Sequence, residues 1–243
     1  MIAIAGREAH LWYVLPDRIG DADLIARYHA LLNAEERERH RRFAFERLRH
    51  EYLVTRALCR TTLSQYADVD PTQWQFVSNQ HGRPEIAGPR KIPPLRFNLS
   101  NCQGLIACLV TREVDAGVDV EDMHRKGETV RIADRYFSPS EVTALRALPP
   151  GRQRQRFFEY WTLKESYIKA RGMGLAIPLD QFSFDLDHEG SIAISFGSRL
   201  KDDPHAWQFD RYRLGERHMM AYAIRRGVGP DMRIDLRETV PLR

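Results

Sequence analysis

The sequence predicts an α+β fold made of two similar halves that meet near residue 112. Two observations support this prediction: segments with helical spacing are mixed with alternating, strand-like segments, and most connections are short. The second half repeats this style without a sequence repeat. At 243 residues and 43% hydrophobic composition, the chain can bury a substantial core.

In the first half, apolar residues at helical spacing predict helices over 21–32 and 46–66. Asn33, followed by Glu36, is typical of a capping box that opens a helix between them. Strands are predicted over 74–78, 95–99 and 105–110 because apolar residues alternate or run together there. The polar stretch 98–104 is expected to turn the chain between the last two.

In the second half, alternation over 114–121 predicts a strand, and helices are expected over 128–136 and 140–148. Two prolines and a glycine precede a strong helix over 152–171, which Gly172 and Gly174 should end. Four further strands complete the prediction; they cover 182–187, 192–196, 207–213 and 219–225.

Composition excludes several classes of protein. No uncharged apolar run approaches the ~18 residues that a membrane span requires, and residues 1–16 lack the pattern of a signal peptide. The three cysteines show no CxxC spacing, which predicts free thiols in a reducing cytoplasm. The net charge of +4 favours acidic or phosphate-bearing partners, but no tail typical of nucleic-acid binding is present.

The segment Gly117-Val118-Asp119-Val120-Glu121 is the first candidate site. Side chains two apart on a strand share a face, so Asp119 and Glu121 should point together, with Cα atoms roughly 6.6 Å apart. Two carboxylates so placed can reach one hard cation. An ordinary amphipathic edge strand would give the same pattern, and the segment alone does not decide between the two.

The second candidate lies on the predicted helix 152–171. Glu165 and Lys169 are four residues apart, a common surface pair. Here, however, they continue a stripe that begins with Phe158 and Trp161. Partly burying charged groups costs free energy, so this placement indicates a site as readily as a surface pair.

The third candidate is a basic stretch from Arg37 to Arg60 that includes Arg39. Arginine presents a two-pronged donor that suits phosphate, although a solvated helix surface is the default interpretation. Gly82-Arg83-Pro84 predicts a tight turn that could carry one more such arginine.

Together these segments resemble a known family. The ordered set GRP, FNLSN, GVDVE, FSxxE, WTLKESYIK and GMGL is similar to the 4′-phosphopantetheinyl transferases of the surfactin-synthetase-activating type, over about residues 31–184. The resemblance implies a monomeric pseudo-dimer of two α/β halves with the active site between them. It assigns residues 1–111 to the coenzyme A nucleotide side, and residues 112–243 to the magnesium carboxylates and carrier-protein contact.

The resemblance also implies roles for individual residues. Asp119, Glu121 and Glu165 match the family's magnesium carboxylates, and Lys169 matches its contact with the coenzyme A phosphates. Asp119, Glu165 and Lys169 are thereby the expected catalytic residues. Glu141 matches a further acidic position. The positions that match nucleotide contacts are Arg39, Arg83, Ser100 and Asn101. Asn101 stands where the family usually has histidine, so a weaker phosphate contact is expected because asparagine cannot become a cation.

The activity implied is Mg²⁺-dependent transfer of 4′-phosphopantetheine from coenzyme A to a serine of an apo acyl or peptidyl carrier protein, with Mn²⁺ as a substitute ion. The carrier would serve fatty acid, polyketide or nonribosomal peptide synthesis, and neither nucleic acid nor membrane is an expected partner. The alternatives are a Mg²⁺-dependent phosphohydrolase and a non-catalytic basic binding module. Met173 and Leu175, which follow the charged helix, are expected to contribute to an apolar carrier-docking patch.

Overall fold

Two β-sheets, packed face to face, form the centre of the computed structural model, which describes residues 1–127, 129–186 and 191–243. The described helices are α1 (Ala22–Leu31), α2 (Ala34–Arg42), α3 (Glu46–Ser64), α4 (Ala133–Tyr136), α5 (Pro139–Ala147) and α6 (Pro150–Arg171). The described strands are β1 (Glu8–Val14), β2 (Gln75–Ser78), β3 (Pro84–Gly88), β4 (Leu95–Cys102), β5 (Leu105–Arg112), β6 (Ala116–Asp122), β7 (Phe182–Asp185), β8 (Ala193–Phe196), β9 (Gln208–Leu214), β10 (His218–Ile224) and β11 (Arg233–Glu238).

The first sheet has the strand order β11-β1-β5-β4, and the second has the order β6-β10-β9. All neighbouring pairs in them are antiparallel except β1 and β11, which run parallel. The remaining described strands pair as β2–β3 and β7–β8, which form two separate two-stranded sheets. Mixed helices and mainly antiparallel sheets confirm the predicted α+β class.

Side-chain alternation divides the interior into three hydrophobic clusters. On β5, Leu105, Ala107 and Leu109 point into the space between the two sheets, where they meet Val118 and Val120 of β6. The alternate residues of β5 pack beneath α1 and α3. The outer face of the second sheet is covered by α6. The layers are therefore, in order, helices α1 and α3, the first sheet, the second sheet and helix α6.

The predicted boundary near residue 112 falls between the end of β5 and the start of β6. The last strand, β11, nevertheless crosses back and pairs with β1 in the first sheet. The division into residues 1–111 and 112–243 stays a prediction, and the C-terminal strand ties the two halves together.

Most predicted elements form within a few residues of the expected positions, and the Asn33–Glu36 capping box is present. The strands β1, β3 and β11 were not predicted. β1 is buried on both faces, so it shows no alternation. The predicted helix 128–136 forms as a 3-10 turn, Val130–Ile132, followed by the single α-helical turn of α4, and its first residue lies outside the described residues.

The turn was expected to begin at residue 98, but β4 continues to Cys102, so the chain turns later than predicted. Its polar residues Asn98 and Ser100 belong to the strand and are buried. Across the described part of the chain, none of the helices is long and apolar enough to span a membrane.

Candidate functional site between the two halves

Gly117 allows α6 to cross β6 at very short range. A Cβ atom at this position would lie 2.2 Å from the Ser166 carbonyl oxygen and 2.4 Å from the Ala170 nitrogen. The missing side chain therefore fixes where the helix crosses the strand. Asp119 and Glu121 share the strand face of Gly117, so they meet the turn of α6 that carries Glu165 and Lys169.

Side chains of β4 attach the first half to the free edge of β6. The Val118 N–H donates to Asn98 Oδ1 at 2.9 Å, and the Val120 N–H donates to Ser100 Oγ at 3.2 Å. Both contacts satisfy strand N–H groups that have no neighbouring strand on that side. The FNLSN segment thus joins the two halves beside the candidate carboxylates.

Ser100, Asp119 and Lys169 form the polar centre of the site. Lys169 Nζ donates to Asp119 Oδ1 at 2.6 Å and to Ser100 Oγ at 2.8 Å, and Ser100 Oγ donates to the same carboxylate oxygen at 3.0 Å. The second carboxylate oxygen, Asp119 Oδ2, is buried without a hydrogen-bond partner among the described residues. A buried ionised oxygen left unpaired is costly, which is typical of a binding position.

Glu121 and Glu165 complete a cluster of negative charge around Asp119. Burial, together with the nearby charge of Asp119, raises the pKa of Glu121 to about 7. The same two causes raise the pKa of Glu165 above its ordinary value. Arg125 offsets part of the charge, because its guanidinium lies 3.0 Å from Glu121.

These residues fit a hard cation. Their donors are carboxylate oxygens, one of which is buried and has no hydrogen-bond partner among the described residues. The pKa values of Glu121 and Glu165 are raised first by burial and second by the charge of Asp119. Over the described ranges, no three histidine, cysteine or acidic side chains already stand together in a metal-holding group. Lys169 and Arg125 balance the carboxylates instead. The predicted ligand set of Asp119, Glu121 and Glu165 stays a prediction.

Two cavities meet at the site. One, of about 510 Å³, is lined by Asp119, Glu121 and Lys169, and the other, of about 520 Å³, extends into the first half along α2 and α3. Their shared lining residues are Leu48, Glu51, Leu99 and Asn101. The cavities therefore form one trough from the first half to the carboxylates, which suits an elongated ligand.

Arg39 lies in the far part of this trough. Its side chain is exposed, and the guanidinium carbon sits 5.6 Å from the centre of the Tyr52 ring. Two other arginines of the predicted basic stretch are already paired: Arg60 is fully buried against Glu36, and Arg47 binds Glu51. Arg39 is thus positioned to meet a ligand anion.

A comparison with known proteins identifies the family. The sequence model described as 4′-phosphopantetheinyl transferase superfamily matches residues 115–223, and the one described as 4′-phosphopantetheinyl transferase, N-terminal, matches residues 22–113. A 4′-phosphopantetheinyl transferase of Bacillus subtilis is 36% identical over 76% of this chain and 80% of its own length. The chain belongs to the 4′-phosphopantetheinyl transferase superfamily.

Two further relatives agree with this assignment. The 4′-phosphopantetheinyl transferase HetI of Nostoc sp. is 33% identical over 72% of this chain and 73% of its own length. The 4′-phosphopantetheinyl transferase Sfp of Bacillus subtilis is 32% identical over 69% of this chain and 72% of its own length. The resemblance predicted from the motifs is confirmed, and so is the expectation of an enzyme of this superfamily.

The other residues that the resemblance matched to nucleotide contacts lie in different parts of the structure. Asn101 is exposed and lines both cavities. Ser100 is buried and bound to Asp119 and Lys169, so it belongs to the carboxylate end of the trough. Arg83 lies outside the lining of the 520 Å³ cavity, although its neighbours Gly82 and Pro84 belong to it. Their predicted nucleotide contacts stay predictions.

Glu141, which the resemblance matched to a further acidic position, is buried beside the hydrophobic cluster that packs against α6, called the second core below. It forms an ion pair with buried Lys164 at 2.7 Å, and the Phe184 N–H donates to its carboxylate at 2.9 Å. It also closes a capping box with Ser138 at the start of α5. These contacts hold α5, α6 and β7 together, so Glu141 stabilises the packing of these elements.

Several residues at the site were missed by sequence reasoning. Arg125, Glu51 and Cys102 all line the 510 Å³ cavity. The pairing of Arg47 with Glu51 at helical spacing was the available signal for Glu51. Arg125 follows the GVDVE segment in a turn, and nothing in its spacing distinguishes it from other surface arginines.

Part of the predicted docking segment after α6 packs against the rest of the protein. Met173 is half-buried and packs against the second core, and Arg171 is bound to Asp202 and Tyr167. The side chain of Leu175 lies outside the described residues. A carrier-docking role for this segment stays a prediction.

Proposed function

We propose that this chain transfers the 4′-phosphopantetheine group of coenzyme A to a serine of an apo acyl or peptidyl carrier protein, with Mg²⁺ or Mn²⁺, releasing 3′,5′-ADP. The observation that carries the proposal is the Lys169–Asp119–Ser100 centre, which lies with Glu121 at one end of an elongated trough. Glu165 lines an adjoining cavity of about 240 Å³ that also includes Lys169. Membership of the superfamily supports the reaction, and this geometry supports its location at the Lys169–Asp119–Ser100 centre.

In the proposed arrangement, coenzyme A lies along the trough. Its nucleotide would lie in the 520 Å³ cavity beside Arg39 and Asn101, and its pyrophosphate would reach the 510 Å³ cavity beside Lys169. Arginine suits the 3′-phosphate because it offers two parallel donors. Asn101 can donate a neutral hydrogen bond only, so Arg39 is expected to contribute the larger share of nucleotide affinity.

Replacing Arg39 with alanine is expected to raise KM for coenzyme A roughly tenfold to a hundredfold, with kcat little changed, because a charged hydrogen bond to the ground state is lost. Steady-state kinetics with coenzyme A and 3′-dephospho-coenzyme A would check this. Wild type should prefer coenzyme A, and the variant should treat the two alike. An unchanged preference would remove Arg39 from the 3′-phosphate.

Mg²⁺ would be held by Asp119 and Glu121, with Glu165 beside them, and when bound it would neutralise charge on the pyrophosphate. The chain's own residues do the rest. Lys169 projects its ammonium group next to Asp119 and offers a second positive charge for the phosphate oxygens. Ser100 holds both of these side chains in place.

The carrier serine hydroxyl attacks the β-phosphorus of coenzyme A, and the bond from that phosphorus to the bridging oxygen breaks as 3′,5′-ADP leaves. Glu165 accepts the serine proton, directly or through water. Its pKa is raised by burial and by Asp119, which makes the carboxylate a stronger base than an exposed glutamate. Positioning and charge neutralisation supply most of the remaining catalysis.

Metal affinity should depend on pH because Glu121 has a pKa of about 7 in the metal-free protein. Below that pH a proton must leave before the carboxylate can bind, so affinity for Mg²⁺ should rise about tenfold per pH unit and level off above pH ~7. Calorimetric titration at pH 5.5, 6.5 and 7.5 would check this. A pH-independent affinity would remove Glu121 from the ligand set.

The electrostatics and thiols fit the proposed partner and compartment. The net charge of +4 favours an acidic carrier surface. Cys59 and Cys108 are buried free thiols, and Cys102 is a third free thiol, which suits a reducing cytoplasm.

The proposal is tested by intact-mass spectrometry of apo carrier proteins of the acyl and peptidyl types after incubation with coenzyme A and Mg²⁺. At least one carrier should gain one phosphopantetheine group and release 3′,5′-ADP, whereas its serine-to-alanine variant should remain unmodified. Release of phosphopantetheine into solution without a carrier adduct would instead indicate a hydrolase. Binding without either product would indicate a non-catalytic module.

A further inference from the structure

The turn at residues 79–83 is a rigid element of the first half that reaches α6 of the second half. Asn79 Oδ1 accepts the N–H groups of His81 at 2.9 Å and Arg83 at 3.0 Å. The Gly82 N–H donates to the Asn79 carbonyl at 3.0 Å, and Gly82 has a φ of +86°, which favours glycine. These hydrogen bonds within the turn hold its conformation independently of its contacts with the second half.

Two side chains of this turn bind the C-terminal end of α6. Arg83 Nη1 donates to the Ala170 carbonyl at 3.0 Å, and Asn79 Nδ2 donates to the Gly172 carbonyl at 2.9 Å. Carbonyls in the last turn of a helix lack partners within the helix, so outside donors stabilise this end. The first half therefore supplies caps for a helix of the second half.

The same guanidinium also binds the start of β6. Arg83 Nη1 lies 3.3 Å from Asp115 Oδ1, and Nη2 donates to Glu85 at 2.9 Å. The Arg83 side chain is only 16% exposed. Its three acceptors lie on α6, on β3 and just before β6, which matches the forked donor set of arginine. Arg83 also lines a cavity of about 240 Å³ together with Glu165 and Lys169.

Gly172 forms the seat for this arginine. A Cβ atom there would lie 2.7 Å from Arg83 Cζ, and the residue has a φ of +63°. Glycine is therefore required both for the left-handed helix end and for the close approach of the guanidinium. Gly172 is the first residue of the GMGL segment, and it contacts Arg83 of the GRP segment directly.

We propose that Arg83 is a positioning residue: its guanidinium holds the end of α6 against the start of β6, and so sets the distance between Lys169 and Asp119. Lys169 directly precedes Ala170, and Asp119 lies four residues after Asp115. The two side chains meet at 2.6 Å. Shifts of about 1 Å in such a site can cost a hundredfold in rate.

This inference rests on the proposed transferase function and differs from the nucleotide contact that the resemblance implied for Arg83. A nucleotide contact predicts a higher KM for coenzyme A at unchanged kcat, with partial rescue by lysine, which keeps the charge. A positioning role predicts a lower kcat at nearly unchanged affinity. Lysine should then rescue poorly, because one ammonium group cannot reach three acceptors.

The test compares Arg83→Ala, Arg83→Lys and the control Arg96→Ala. Arg96 binds the same Asp115 oxygen at 2.7 Å from the exposed side. Arg83 is the arginine that donates to the Ala170 carbonyl. Both Arg83 variants should lose about tenfold to a hundredfold in kcat, with the calorimetric Kd for coenzyme A within about threefold of wild type. Arg96→Ala should behave as wild type in both.

Amide hydrogen exchange over residues 165–172 supplies a readout that needs no activity. Exchange there should accelerate in both Arg83 variants and not in Arg96→Ala. If wild type transfers nothing to any carrier, the proposed function fails, and exchange alone decides the positioning role. A Kd weakened tenfold or more with normal kcat, or unchanged exchange together with unchanged kcat, would overturn it.

Discussion

Replacing Asp119 with asparagine is expected to lower kcat for transfer by about a thousandfold or more while the protein stays folded. Asp119 is the carboxylate around which the site is arranged: it binds Lys169 and Ser100 with one oxygen and leaves the other buried and unpaired among the described residues. Asparagine keeps the shape and removes the charge. Glu165→Gln, which removes the proposed base, should have a similar effect.

Stability should respond weakly to Asp119→Asn. The ion pair with Lys169 is lost, but repulsion from Glu121 and Glu165 is relieved, so the melting temperature should stay within about 4 °C of wild type. Asp122→Asn is the matched control: it lies on the same strand and binds Arg217 at 2.9 Å. It should retain activity. Near-normal kcat of Asp119→Asn at saturating Mg²⁺ would contradict the carboxylate assignment.

The second large effect is expected at Gly117. A methyl group there would overlap the Ser166 carbonyl and the Ala170 nitrogen of α6, and backbone atoms cannot move aside as a flexible side chain could. Gly117→Ala should therefore lower the free energy of unfolding by about 3 kcal/mol. The fraction that remains folded should lose transfer activity, because α6 carries Glu165 and Lys169.

Urea unfolding and kinetics would measure both effects, with Gly151→Ala as the control. Gly151 lies in the first turn of the same helix, and a Cβ atom added there would have open space around it, with no atom of the described residues within 4 Å. That control should be neutral or slightly stabilising, since alanine favours helix. A Gly117→Ala variant as stable and active as wild type would mean that the helix can lie elsewhere on β6.

Local patterns in the sequence predicted part of the candidate site. Alternation predicted that Asp119 and Glu121 share one strand face, and the aromatic stripe indicated a site at Glu165 and Lys169 as readily as a surface pair. Periodicity left both alternatives open, and the ordered motifs that resemble the family decided between them. The same periodicity predicted most helices and strands, since buried faces repeat at fixed intervals within one element.

Contacts between the halves were not predictable in the same way. The hydrogen bonds of Ser100 with β6 and of Arg83 with α6 join residues 20 and 87 positions apart, and no local pattern encodes such pairing. Residues 98–104 were expected to turn because Asn98 and Ser100 are polar, but these two side chains face the edge of β6 instead of solvent. The parallel pairing of β11 with β1 depends on the whole intervening chain.

The most direct test of the account is the binding of Mn²⁺, measured by electron paramagnetic resonance with and without coenzyme A. Wild type is expected to bind the ion, and coenzyme A should tighten binding because its pyrophosphate completes the site. Asp119→Asn should lose both effects, whereas Asp122→Asn should keep them. Equal Mn²⁺ affinity in wild type and Asp119→Asn, in the presence of coenzyme A, would contradict this expectation.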